Sequence, residues 1–172
     1  MKKKWIILWS IMGGILGTLA VVIFVLASGV VNVGADSKPG LFERTLAPWG
    51  RKRSVEKRAS KERDPYAGHP AAISAGFSQY RKTCVMCHGA PGVPAAELSK
   101  GFNPPAPLLG NGENNTSDGE LFWIIKHGIR MTAMPAFGPT RTDEEIWNIV
   151  AFIRTLPDLS AKDQDTLRMA TR

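Results

Sequence analysis

The chain has 172 residues, of which 44% are hydrophobic, 8% aromatic and 22% charged, a length for about one domain and a composition that excludes wholesale disorder. Two cysteines cannot staple a small disulfide scaffold or fill a four-thiolate zinc or iron-sulfur site, and the glycine-rich phosphate loops of nucleotide enzymes are absent. The net charge of +7 is uneven: three Lys and no acid in residues 1–35, nine basic against five acidic in 36–68, ten against ten in 69–172. Basic side chains therefore flank an apolar segment, the expected folded domain is neutral, and no nucleic-acid partner is expected.

From Trp5 to Ala35 there is no charged residue, and Trp5 to Ala27 is rich in Ile, Leu, Val and Phe. As a helix those residues cover about 35 Å, enough for a hydrocarbon core of about 30 Å. The run exceeds the h-region of a cleaved signal, although Val33 and Ala35 would suit a cleavage site. Residues 1–35 are expected to be a retained anchor with its span at about 5–27. Lys2, Lys3 and Lys4 precede the span, so the positive-inside rule predicts a cytoplasmic N-terminus and an extracytoplasmic, periplasmic remainder. Trp5 and Trp9 suit the headgroup boundary, and Gly13 and Gly17 form a G-x-x-x-G.

Residues 36–68 change character, with Pro39, Pro48 and Pro65 punctuating a charged run that includes Arg51, Lys52 and Arg53. Glu56 has the opposite charges of Arg53 and Lys52 three and four residues away, which predicts a solvated helix within a tether. A flexible chain of this length would reach about 30 Å.

Cys84-Val85-Met86-Cys87-His88 is C-x-x-C-H, the attachment sequence for c-type haem: each thiol adds across one vinyl group and the adjacent imidazole comes under the iron. A thioredoxin-type reading needs a strand-helix-strand frame, and a zinc reading lacks a second close ligand pair beyond His69, His88 and His127. The sixth ligand decides whether the iron shuttles electrons or keeps an open position. His127, Met131 and Met134 are the candidates, and Met134 is favoured because Pro135 biases it toward extended backbone in a loop closing over a cofactor. Met131 is the weaker alternative. His127 reads as the basic end of a helix stopped by Gly128, His69 as a loop residue, and Met86 and Met169 as packing.

Cys84 to His88, followed by Met134-Pro135 and an aromatic-containing terminal helix, resemble a class I monohaem cytochrome c over about residues 69–157, and the anchor with Gly128 to Pro135 is similar to bacterial membrane-anchored electron-transfer cytochromes. The resemblance implies an all-α fold around one covalent haem c, joined through Cys84 and Cys87, with His88 and Met134 as axial ligands. It places a carbonyl of the loop Gly101 to Leu109 on the ring nitrogen of His88, without saying which. It also implies that the first and last helices cross near Gly76, Phe77 and Trp147.

Helical periodicity agrees. Ile73, Gly76, Phe77, Tyr80 and Cys84 form one stripe, and Thr142 with Glu145 caps a helix carrying Ile146, Ile149, Val150, Ile153 and Leu156. Ser117 and Glu120 cap a shorter helix ended by Gly128. The expected organisation is an anchor (1–35), a charged linker (36–68), a haem domain (69–160) and a C-terminal tail (161–172). The expected function is electron transfer between redox partner proteins rather than catalysis, with membership of a stable membrane-bound oxidase, reductase or dehydrogenase complex as the alternative. A sensor or peroxidase-like site with an open iron position is the further alternative.

Overall fold

The computed structural model describes residues 2–110 and 116–171. Among these are seven α-helices and no strand, in two compact units that divide between Ser37 and Lys38.

The first unit is helix α1, Lys2–Ala27, in which no residue is buried. It contains an 18-residue stretch of mean hydropathy 2.4, and it is long and apolar enough to cross a membrane. Gly13 and Gly17 have open space where a side chain would stand.

The second unit is all-helical: α2 (Leu41–Arg58), α3 (Pro70–Thr83), α4 (Val85–His88), α5 (Asp118–His127), α6 (Asp143–Thr155) and α7 (Ala161–Arg168). Its centre is the crossing of α3 and α6. Gly76 packs against the carbonyl of Asn148, where a Cβ would collide with that oxygen and with Phe152. Only glycine lets the two backbones come so close. Around the crossing Phe77 meets Phe152 edge-on at 5.4 Å and Tyr80 lies 5.2 Å from the same ring. The aromatic opposite Phe77 is thus Phe152, and Trp147 instead stacks on Phe122 of α5 at 4.4 Å. Both capping boxes form: the Ser117 and Thr142 hydroxyls accept from the Glu120 and Glu145 amides, and each Glu carboxylate accepts from its cap's backbone N–H.

The segment 36–68 differs from a tether. Its α2 carries the expected exposed pairs of Glu56 with Lys52 and Arg53, yet Val55 is buried and α2 packs on α5. Gly119, in the first turn of α5, lets the carbonyl of Ser60 approach where a side chain would collide. Beyond it, Asp64 is buried; its backbone N–H donates to Asp118, which pairs with Arg154. The folded unit from residue 38 onward consequently holds nineteen Lys and Arg against fourteen Asp and Glu, a charge of +5, while residues 69–172 by themselves are neutral as expected.

The segment 161–172 is likewise more than a tail. Leu167 of α7 is fully buried, and Arg168 donates to the carbonyl of Gly92 at 2.9 Å. Met86 and Met169, expected to pack, are 40% and 68% exposed. Val85 fills the core beside Met86 and Leu167 fills it before Met169, which leaves each methionine on the outer side of its turn.

Candidate functional site

A cavity of about 650 Å³ opens between α4, α5, α6, the proline-rich loop and the loop that follows α5. That volume is within the range of small-molecule and cofactor sites.

One wall comes from the turn between α3 and α4. Cys84 ends α3 and Cys87 and His88 follow within α4, and all three side chains line the cavity. The His88 and Gly89 amides donate to the Cys84 and Val85 carbonyls at 2.9 and 2.8 Å, which winds the five residues into one turn. Gly89 leaves it at φ 58°, and the Tyr80 hydroxyl donates to the Gly89 carbonyl at 2.6 Å. Burial pushes the Tyr80 hydroxyl pKa far up, so it stays protonated and able to donate.

His88 is held by the proline-rich loop: its Nδ1 lies 2.8 Å from the Pro107 carbonyl oxygen. A carbonyl only accepts, so Nδ1 carries the proton and Nε2 keeps its lone pair for a metal. Burial holds the His88 pKa below its usual value, against the opposing pull of that carbonyl. The neutral, ligating form is therefore favoured. Burial pushes the Cys84 thiol up, partly offset by Thr83 and Arg141.

A second wall comes from the loop after α5. Gly128 (φ 64°) turns the chain so tightly that a Cβ there would strike the backbone of Pro135 and Met134. The loop closes on itself: the Ile129 amide donates to the Met134 carbonyl at 3.1 Å, and the Thr132 hydroxyl donates to Ile129 and accepts from the Met134 amide. Met134 is half-buried and lines the cavity. Met131, at the loop tip with φ 59°, is 92% exposed and does not line it. His127 is exposed with its ring tilted against Trp123 at 4.9 Å, and His69 is exposed at the cap of α3. Neither reaches the cavity wall.

The remaining wall is largely apolar, with Leu121 and Ile125 from α5 and Ile149 and Ile153 from α6. Two thiols in one helical turn, an imidazole oriented by a carbonyl, a thioether and this apolar lining fit a covalently held haem.

Three contributors escape a reading of the sequence. Pro107 sits among several prolines whose carbonyls are chemically alike. Arg141 donates to Gln79 at 2.6 Å and to Thr83 at 3.1 Å, with its guanidinium 4.4 Å from the Phe137 ring, tying the second wall to the end of α3. On α2, Pro48, Trp49, Arg51, Lys52 and Val55 line the cavity too.

Residues 71–153 match the family described as cytochrome C oxidase, cbb3-type, subunit III. Among solved structures, the chain is similar to cytochrome CL from the marine methylotrophic bacterium Methylophaga aminisulfidivorans MPT, with 24% identity, 78% of each chain covered and a TM-score of 0.43. None of the curated proteins matches. The family match starts in α3 and ends in α6, so it contains the haem attachment turn, Pro107 and Met134. Over residues 71–153 the chain thus resembles a c-type cytochrome domain, and the side chains lining its cavity fit one covalent haem c.

Proposed function

We propose that the protein is a membrane-anchored monohaem cytochrome that relays single electrons between protein partners on the extracytoplasmic side. Cys84 and Cys87 form the two thioether links, His88 is the proximal ligand and Met134 the distal ligand. The observation that carries this reading is that Met134 lines the same apolar cavity as Cys84, Cys87 and His88, while Met131 lies outside it. Haem supplies the one-electron ferrous/ferric couple, and methionine ligation raises its potential. His88 and Met134 would both hold the iron of a bound haem and the apolar lining would shield it, so that a change of oxidation state would need little ligand rearrangement, which suits relay rather than bond-making. Helix α1 supports the anchor, and Lys2 to Lys4 before it support a cytoplasmic N-terminus. A small interface, below about 1,200 Å² in total, suits rapid partner exchange.

Redox titration of the protein purified from membranes tests the relay, with carbon monoxide added to the reduced form and cyanide to the oxidised form. One reversible one-electron wave and no ligand binding without denaturation are expected; prompt binding of either ligand contradicts a saturated iron.

The description of the matching family, an oxidase subunit, favours a second reading, the haem subunit of a stable membrane complex. Chains that stay bound through mild detergent extraction and size-exclusion chromatography support it; a lone chain supports a mobile relay.

A further inference from the structure

The relay leaves α2 without a role, yet α2 forms part of the cavity wall. Arg51 and Lys52 are the only Lys or Arg residues in that wall among the described residues, and Glu120 is the only acidic one. The Glu120 carboxylate is already engaged, accepting from the Ser117 amide at 2.7 Å and the Ser117 hydroxyl at 2.9 Å. The Arg51 guanidinium has no ion pair or side-chain hydrogen bond among the described residues, and Lys52 has only an exposed contact at 3.9 Å with Glu56. Two cations with weak or no partners thus edge a cavity that is otherwise largely apolar.

Haem carries two carboxylate side chains on the part of the macrocycle away from the vinyl groups that join the cysteines. Carboxylates placed in an apolar cavity without partners carry a large desolvation penalty. Arg51 and Lys52 stand in the wall that α2 builds against α5, where Val55 is buried, and they are the cations of the described lining that could meet these carboxylates. The planar fork of arginine suits one carboxylate and the ammonium of lysine the other.

We propose that α2 closes the carboxylate side of the haem, with Arg51 and Lys52 as its ion-pair partners. The inference rests on the haem site described above. Its consequence is electrostatic: two positive charges beside the cofactor disfavour the ferric form, so they hold the potential up.

The test is redox titration of the full-length, haem-loaded protein in detergent. Arg51→Gln/Lys52→Gln is compared with Arg44→Gln/Lys57→Gln, which makes the same charge change on the same helix outside the cavity wall. The wall variant is expected to shift the ferrous/ferric equilibrium about tenfold toward ferric, about 59 mV for one electron. The control should shift it less than about twofold, and the exchange Arg51→Lys/Lys52→Arg should keep the original potential. If the double variant does not accumulate, Arg51→Gln and Lys52→Gln are each expected to give about half the shift. An unchanged potential in haem-loaded wall variants, or equal shifts in wall and control variants, overturns the proposal. A wild-type chain without covalent haem overturns the site itself, and this proposal with it.

Discussion

The Nδ1 of His88 donates to the carbonyl of Pro107 across 2.8 Å, nineteen residues along the chain. The loop that brings this carbonyl into place contains Pro104, Pro105 and Pro107, whose fixed torsions limit the conformations it must give up on folding. Pro107→Gly keeps the carbonyl and removes that restriction. We predict a loss of about 1 kcal/mol in stability, read from the denaturant midpoint of the haem-loaded protein. An unchanged midpoint means that the loop is held by other contacts.

The crossing of α3 and α6 sets a harsher limit. At Gly76 an added methyl would meet the Asn148 carbonyl and the Phe152 Cβ, and backbone atoms cannot swing aside as a side chain does. Gly76→Ala is predicted to cost about 3 kcal/mol, or to prevent accumulation of haem-loaded protein. Haem staining and urea unfolding check it, and native-like stability would show that the helices can separate at little cost.

Asp118 and Asp64 should move stability in opposite directions with pH. Burial pushes Asp118 up, but the Asp64 backbone N–H and Arg154 outweigh it, so its pKa is below the usual value. Its stabilisation is complete above the unfolded value of about 3.9 and is lost as pH falls through the lower folded value. Burial raises Asp64, and its Oδ2 has no hydrogen-bond partner among the described residues. The native state therefore holds that proton more tightly, and stability declines as pH rises from about 3.9 through the raised folded value. Asp64→Asn should flatten the decline, while Asp118→Asn, which leaves Arg154 unpaired, should cost about 2 kcal/mol at neutral pH. Urea midpoints measured from pH 3 to 8 read both effects. The account fails for this cluster if the two variants have the same pH profile as the wild type.

Retention of α1 has its own signature. The intact mass of protein purified from membranes should include the residues from Lys2 or Met1 onward plus one haem. A mature chain beginning at Asp36 would instead identify a cleaved leader.

The local signals carried furthest where one residue type performs one backbone task. Thr142 with Glu145 and Ser117 with Glu120 cap the helices that they predict, and Gly128 ends α5. Arrangements decided by distant partners were hidden. Helix α2 reads as solvated because Val55 is its only buried residue, and α7 reads as a tail because Leu167 is its only buried residue. Periodicity needs more than one apolar contact to register. At the site, the bonding potential of the Gly101 to Leu109 carbonyls is the same at every position, so geometry alone selects Pro107. Asp64 and Arg154 lie too far apart in sequence for any spacing rule to join them to Asp118.

The visible spectrum of oxidised Met134→Ala, recorded beside Met131→Ala, tests the central claim most directly, since a saturated iron depends on the distal sulfur. The loop aims Met134 at the cavity and leaves Met131 at its exposed tip. The thioether-to-ferric-iron band is predicted to vanish in Met134→Ala, with a lowered potential and new binding of cyanide, and to persist in Met131→Ala. Survival of the band in Met134→Ala would contradict the account: with loss in Met131→Ala it would move the ligand to the loop tip, and with survival in both it would remove methionines 131 and 134 from the iron.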